Sequence, residues 1–258
     1  MCGIVGAWNQ TLDEEAKTAA LSAIAHRGPD DHGELRDTDE GVFLGHTRLT
    51  IIDLSDAGAQ PMHSDDDRLV LVFNGEIYNY RELREELIQR GAKFRGHSDT
   101  EVLLRLYEAD GVAMLPRLNG IFAFALYDRR SQEILLARDA LGVKPLYYAD
   151  ESQNGGGFAF ASEIKALLPL TQATPELDLP ALQRYLTYLW CPGEGTPLLG
   201  VRKLGPGELL RVSHGRVVER KSWYRLPILD RPAKSMTAEA AISAVREGLR
   251  QAVHRQLV

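Results

Sequence analysis

The chain has 258 residues, 44% apolar and 26% charged, which is enough for one large or two modest domains with a real core. Its net charge of −6, with both signs interspersed, excludes the basic footprint of a nucleic-acid binder. Two cysteines, Cys2 and Cys191, make no disulfide framework and no metal-type spacing. No apolar run reaches the roughly 18 residues of a membrane span, and no basic region precedes an apolar segment at the N-terminus, so a reducing cytoplasm is the expected location.

Residues 3–7 read as a short apolar strand. The spacing of Ala16, Ala19, Ala20, Ala23 and Ile24 predicts a helix over 13–25, with Asp13 as its cap. Strands are expected at 42–52 and 69–73, separated by the acidic turn Ser64-Asp65-Asp66-Asp67, which lacks the glycine and terminal glutamate of a calcium loop. Helices follow at about 80–90, stopped by Gly91, and at about 99–109, where Asp99 stands at the N-cap position. Strand-like runs come at 120–127, 133–138, 145–149 and 157–161. A helix is expected at 180–190. A β-hairpin region spans 198–224, with turns at Gly205-Pro206-Gly207 and His214-Gly215. Pro227, Pro232 and nearby charges read as a linker. From Thr237 an amphipathic helix places Ile242, Val245, Leu249, Val253 and Leu257 three or four residues apart. Strands bracketed by helix pairs argue for a layered α+β fold.

The residues with chemical potential begin at the second position. Cys2 follows Met1 directly, and a methionine removed before a small residue leaves a thiol and a free α-amine on one residue. An α-amine titrates at about 7.7–8.0 and is a built-in base for an N-terminal nucleophile. Alone, Cys2 reads equally as a small buried cysteine. Arg48 alone reads as a surface arginine, Asn74-Gly75 as a common turn and Asp99 as a cap.

Taken together and in order, these segments carry more. Cys2-Gly3-Ile4-Val5-Gly6, His26-Arg27-Gly28-Pro29-Asp30, Arg48-Leu49-Thr50-Ile51-Ile52-Asp53, Asn74-Gly75-Glu76-Ile77-Tyr78-Asn79 and Ser98-Asp99-Thr100-Glu101 resemble the glutaminase domain of glutamine-hydrolysing asparagine synthetase. Arg138-Asp139, Gly142 through Tyr147, and Phe160 through Leu167 fit the same pattern. The resemblance covers roughly residues 2–225. It implies a class II glutamine amidotransferase with a four-layer αββα N-terminal nucleophile hydrolase sandwich, followed over 226–258 by a linker and the first helix of a synthetase domain.

The resemblance also implies roles. Cys2 attacks the side-chain amide of L-glutamine, and a glutamyl thioester, glutamate and ammonia follow. The Asn74 side chain and the Gly75 N–H face the oxyanion, where a glycine permits close approach. Arg48 holds the α-carboxylate and Asp99 the α-ammonium, with Glu76 beside that ammonium. Ile51 and Ile52 complete the substrate-binding set. His26 through Asp30 shape the loop beside Cys2. Arg138, Asp139 and Lys144 either edge the pocket or tie two strands together. Cys191 is a plain residue near a helix end.

No His pair has metal-ligand spacing, so no metal is expected. Neither a GxxxxGK[ST] loop nor a Ser-Gly-Gly-x-Asp-x-Ser loop occurs, and Gly155-Gly156-Gly157 lies in a polar turn. ATP and magnesium are therefore expected only for the synthetase domain. The expected partners are L-glutamine and that domain or a partner chain, with no nucleic acid and no membrane; a homodimer stays open. The acceptor of the ammonia also stays open. Leu49 through Asp53 replaces the Thr-His-Gly segment of hexosamine- and phosphoribosylamine-forming relatives, which favours the synthetase branch over them. A sugar acid in polysaccharide assembly is the alternative acceptor, and a non-catalytic glutamine-binding module is the alternative of another class.

Overall fold

The computed structural model describes residues 1–9, 11–152, 156–171, 174–227 and 236–257. The linker around Pro232 and the turn residue Gly155 lie outside these described residues.

Twelve strands form two antiparallel sheets among the described residues. One sheet runs β10(Val201–Lys203), β8(Tyr147–Asp150), β9(Phe158–Ala161), β1(Gly3–Trp8), β3(Val42–Arg48), β2(Asp31–Asp37). The other runs β12(Arg216–Ser222), β11(Glu208–Ser213), β7(Glu133–Arg138), β6(Gly120–Asp128), β5(Leu69–Ile77), β4(Met62–His63). Strands buried on both faces explain the near-continuous apolar runs of β1, β5 and β6, which show no alternation with polar residues.

Side chains alternate between the faces of each strand. Ile4, Leu44, Val72, Ala125, Leu136 and Phe160 point between the sheets, where the Trp8 ring meets Tyr127 edge-on at 5.7 Å and 76°. Val5, Ala7 and Phe43 point outward onto α1(Glu14–Ala23) and α4(Ile164–Leu167), with Ala20 and Leu167 against them. On the far side, Leu71, Phe73 and Phe124 cover α2(Tyr80–Gln89) and α3(Asp99–Asp110) through Leu83, Leu87, Leu103 and Leu106. The order is helices, sheet, sheet, helices, the four-layer αββα sandwich. Truncating one of the fully buried phenylalanines between the sheets, such as Phe160, costs about 3–5 kcal/mol.

Local signals hold at most helix ends. Asp13 caps α1 by accepting the Ala16 N–H at 2.7 Å. Gly91 ends α2 at φ +93°, where a left-handed residue closes the last turn. Three expectations need correction. Strand β3 stops at Arg48, because residues 49–58 leave the sheet to form a loop over a cavity. Ser98, not Asp99, caps α3: its hydroxyl accepts the Glu101 N–H at 3.1 Å, which leaves the Asp99 carboxylate for another partner. Residues 198–224 do not form one hairpin unit. Strand β10 joins the first sheet beside β8, the Gly205-Pro206-Gly207 turn crosses the sandwich, and β11–β12 extends the second sheet.

The last element, α6(Ala238–Gln256), buries none of its residues. Ile242, Val245, Leu249, Val253 and Leu257 are 59–69% exposed. The helix is also capped at its start, with Thr237 accepting the Ala240 N–H.

Candidate active site

Three strand ends meet at one mouth of the sandwich. The two-residue period puts Ile4 of β1, Leu44, His46 and Arg48 of β3, and Val72, Asn74 and Glu76 of β5 on the inward faces. Cys2 sits immediately before β1, in line with Ile4. A cavity opens there, lined by Cys2, Arg48, Ile51, Ile52, Asn74, Gly75, Glu76 and Asp99, together with Met1, Gln60 and Lys144. Every residue singled out in the sequence for catalysis or substrate binding thus lines this one cavity.

The Cys2 sulfur rests against Leu49, whose N–H donates to it at 3.4 Å. Burial pushes the thiol pKa up, and Asp99 pushes the same way; the Leu49 N–H, the chain's N-terminal charge and Lys144 oppose them. The thiol therefore holds its proton until a base takes it. The loop before β2 supports this position. Arg27 Nε donates to the Cys2 carbonyl at 2.9 Å, and its Nη1 donates to Glu163 at 2.8 Å, which also contacts His26. Asp30 accepts the Thr50 N–H at 2.8 Å and so anchors the loop above the cavity.

Two donors lining the same cavity as the sulfur have no protein acceptor among the described residues. Asn74 is 1% exposed, and its Nδ2 makes no hydrogen bond. The second follows from strand geometry. Both backbone groups of Phe122 turn toward β7, its N–H to the Asp139 carboxylate and its C=O to the Asp139 N–H. The Gly75–Phe122 pair is therefore a non-hydrogen-bonded one, and the Gly75 N–H points off the free edge of β5. Its neighbours on that edge are taken: the Phe73 N–H by Gln60 Oε1 at 2.6 Å, the Ile77 N–H by Asp99 Oδ2 at 3.0 Å. The glycine answers to β6. A Cβ at position 75 would lie 2.4 Å from the Ile121 carbonyl and 2.7 Å from the Phe122 Cα.

Charges of both signs line the cavity. Arg48 spends Nη2 on the carbonyls of Asp53 (2.6 Å) and Ser55 (3.0 Å), and its Nε and Nη1 take no protein acceptor among the described residues. Gly58 makes room for it, since a Cβ there would lie 2.6 Å from Nη2. Asp53 in turn ties the loop to α3 by accepting the His97 N–H at 3.0 Å. Asp99 lines the same cavity. Burial raises its carboxyl pKa to about 6, and the Glu76 charge adds to the rise against the Ile77 and Thr100 N–H groups. Behind the site His46 is fully buried, and burial holds its pKa down at about 4 against the backbone of Phe73, which raises it, so it is neutral.

Arg138 and Asp139 tie the chain together instead of lining the cavity. Asp139 accepts the N–H groups of Phe122, Leu141, Val143 and Lys144, and Arg138 donates to the carbonyls of Gly142, Lys144 and Leu204. Lys144 does line it. Gln60, Gly58 and the Leu49 N–H carried no sequence signal of their own, because each matters only through a neighbour distant in sequence. Cys191 is buried far from Cys2 in sequence and contacts the Ala181 carbonyl at 3.6 Å. No cluster of metal-ligating side chains occurs among the described residues, and none of their helices is long and apolar enough to cross a membrane.

A two-sheet αββα sandwich with a cysteine leading its first strand into an inter-sheet cavity has the architecture of the N-terminal nucleophile hydrolases. Its fold matches the solved structure of glutamine phosphoribosylpyrophosphate amidotransferase from Bacillus subtilis, with a TM-score of 0.63 at 21% identity over 87% of this chain and 50% of that one. The family model for the glutamine amidotransferase domain matches residues 1–224, and the chain belongs to that family. Among its relatives, asparagine synthetase [glutamine-hydrolyzing] 1 of B. subtilis is 38% identical over 87% of this chain. A putative asparagine synthetase [glutamine-hydrolyzing] of Mycobacterium tuberculosis is 41% identical over 88%, and the amidase chry2 of Gibberella zeae is 36% identical over 95%. The chain spans only 35–37% of the length of these relatives.

Proposed function

We propose that this chain is the ammonia-producing half of an asparagine synthetase-like enzyme, hydrolysing L-glutamine to glutamate and ammonia with Cys2 as nucleophile. The observation that carries the reading is the pair of donors without an acceptor among the described residues, Asn74 Nδ2 and the Gly75 N–H, in the cavity that also holds Cys2, Arg48, Glu76 and Asp99. A free amino acid with an amide side chain has the matching groups. Arg48 offers two unspent guanidinium nitrogens to the α-carboxylate; Asp99 and Glu76 face the α-ammonium; Ile51 and Ile52 close over the substrate. Both ends held, the amide carbon lies against the sulfur, which is where orientation contributes rate.

The chemistry then needs one proton carrier. With Met1 removed, the Cys2 α-amine takes the thiol proton as sulfur attacks the amide carbon. Asn74 and Gly75 stabilise the oxyanion. The amine passes its proton to the leaving nitrogen, ammonia departs and a γ-glutamyl thioester remains. Water, deprotonated by the same amine, releases glutamate and regenerates the thiol. ATP and magnesium have no part in these steps and belong to the synthetase partner, which selects the acceptor. We place that partner on the apolar stripe of α6, which lies beyond the matched residues 1–224 and buries nothing here.

The test pairs intact mass with ammonia release on one sample. Protein lacking Met1 should hydrolyse glutamine, and protein retaining Met1 should not, because its amine is one residue away. Equal rates from both forms would remove the α-amine from the mechanism.

Asp99→Asn gives a second test with two opposite signs. A carboxyl raised to about 6 binds its proton more tightly folded than unfolded, so its contribution to stability falls as pH rises from about 4 through 6. The asparagine variant escapes this and still has an oxygen for the Ile77 N–H. Its melting temperature at pH 7.5 should exceed that of the parent, by an equivalent of about 1–3 kcal/mol, and the gap should close near pH 4. His46 loses its contribution in the reverse direction as pH falls, but it is common to both proteins and cancels. Glutamine binding should weaken at pH 7.5. In the parent, the KM for glutamine should rise below pH 6, where the carboxyl turns neutral. A variant that binds glutamine as the parent does would take Asp99 out of the clamp.

A further inference from the structure

Lys144 is a buried cation without an anion. It is 7% exposed, and its ammonium meets no carboxylate among the described residues. Its hydrogen-bond partner there is the thioether of Met1, with Nζ 3.3 Å from Sδ. A thioether is a weak acceptor, and a buried ammonium needs a strong one. That weak partner is also the residue expected to leave when the chain matures.

The lysine is held in place with unusual thoroughness. Asp139 accepts its N–H at 3.0 Å and Arg138 donates to its carbonyl at 2.6 Å, so both backbone groups are fixed by the two residues ending β7. Leu141 and Val143 in the same turn are fixed by the same carboxylate. Such a turn fixes the backbone from which the buried side chain reaches into the cavity.

The charged groups around the sulfur are few. They are the chain's own amine, Arg27 at the Cys2 carbonyl, Arg48 at the end of β3, Asp53 of the covering loop, Glu76 of β5, Asp99 of α3 and Lys144. Asp53 is turned to Ser55 and His97, Arg27 to Glu163, and Arg48 to the carbonyls of Asp53 and Ser55. The two remaining carboxylates disfavour an anionic sulfur; besides the chain's own amine, Lys144 is the charge that pulls the thiol pKa down.

We propose that Lys144 is a positioning residue for the nucleophile: freed from the Met1 thioether on maturation, its ammonium stabilises the negative charge that forms on the Cys2 sulfur as the thiol proton passes to the α-amine. A positive charge nearby favours a negative one on sulfur and so eases loss of the thiol proton. The direction of the Lys144 influence on the thiol agrees.

The inference rests on Cys2 being the nucleophile, so its test reads the sulfur and not turnover. In mature protein carrying Cys191→Ala, the rate of Cys2 alkylation by iodoacetamide is measured against pH for Lys144, Lys144→Met and Lys144→Arg. The methionine variant should move the midpoint upward by on the order of one pH unit, and arginine should restore it. For glutamine hydrolysis at pH 7, kcat should fall about tenfold in Lys144→Met, with KM changed less than twofold. An unmoved alkylation midpoint overturns the proposal, as does a rise in KM with kcat intact, which would make Lys144 a substrate-carboxylate contact. Lys144→Gln replaces the methionine variant if that one does not fold. Failure of the nucleophile assignment itself would show separately, as glutamine turnover by a chain without the Cys2 sulfur.

Discussion

Cys2→Ala should reduce glutamine hydrolysis to background, a loss on the order of 10⁴–10⁶, while the protein melts within a degree or two of the parent. The asymmetry follows from the site. The sulfur is half-buried and its protein contacts are the N–H and C=O of Leu49, so its removal leaves no large void and strands no strong hydrogen bond. Alanine is small enough for Met1 to be removed as before, so the amine, the donors and the clamp all remain. What disappears is the atom that forms the thioester. Glutamine should still bind, and calorimetric titration of the variant should give an affinity close to the parent's. Ammonia release near the parent rate would end the nucleophile assignment, whatever else holds.

Asn74→Ala should lower kcat by about 10²–10³ and leave KM for glutamine nearly unchanged, the usual signature of one lost oxyanion donor. The reason is visible in the site. Asn74 sits on the inward face of β5, 1% exposed, with Nδ2 unpaired. A buried donor without a partner costs a fold about 1–3 kcal/mol, so the amide is retained against stability. Its removal should therefore not lower the melting temperature as a typical buried truncation does, since the space it vacates opens onto the cavity. The Gly75 N–H remains, which is why the loss stops short of that for Cys2→Ala. If the whole effect falls on KM, Asn74 contacts the ground-state substrate and the oxyanion assignment is wrong.

Much of this molecule is legible in its sequence, for definite reasons. Apolar runs mark β1, β5 and β6 because strands covered on both faces have no polar side to show. Asp13 and Gly91 mark helix ends because caps are local chemistry. Cys2, Arg48, Asn74, Gly75 and Asp99 stand in recognisable segments, and those segments also gave the family before any contact was known. Other features depend on distant chain meeting distant chain. Nothing near Asn74-Gly75 says that the glycine is required by the Ile121 carbonyl across the ladder, or that its N–H falls on the unpaired edge of β5. The segment 198–224 carries strand propensity, but which sheet each piece joins depends on the free edges left by β8 and β7. Asp99 reads as a cap until Ser98 takes that role and the Ile77 N–H claims the carboxylate. Lys144 reads as one charge in a turn; only the folded chain buries it in the Cys2 cavity, with no carboxylate partner among the described residues. Sequence determined the elements and the reactive groups, since both are local; tertiary structure decided which of those groups are left unpaired at the cavity, since that is settled by every neighbour at once.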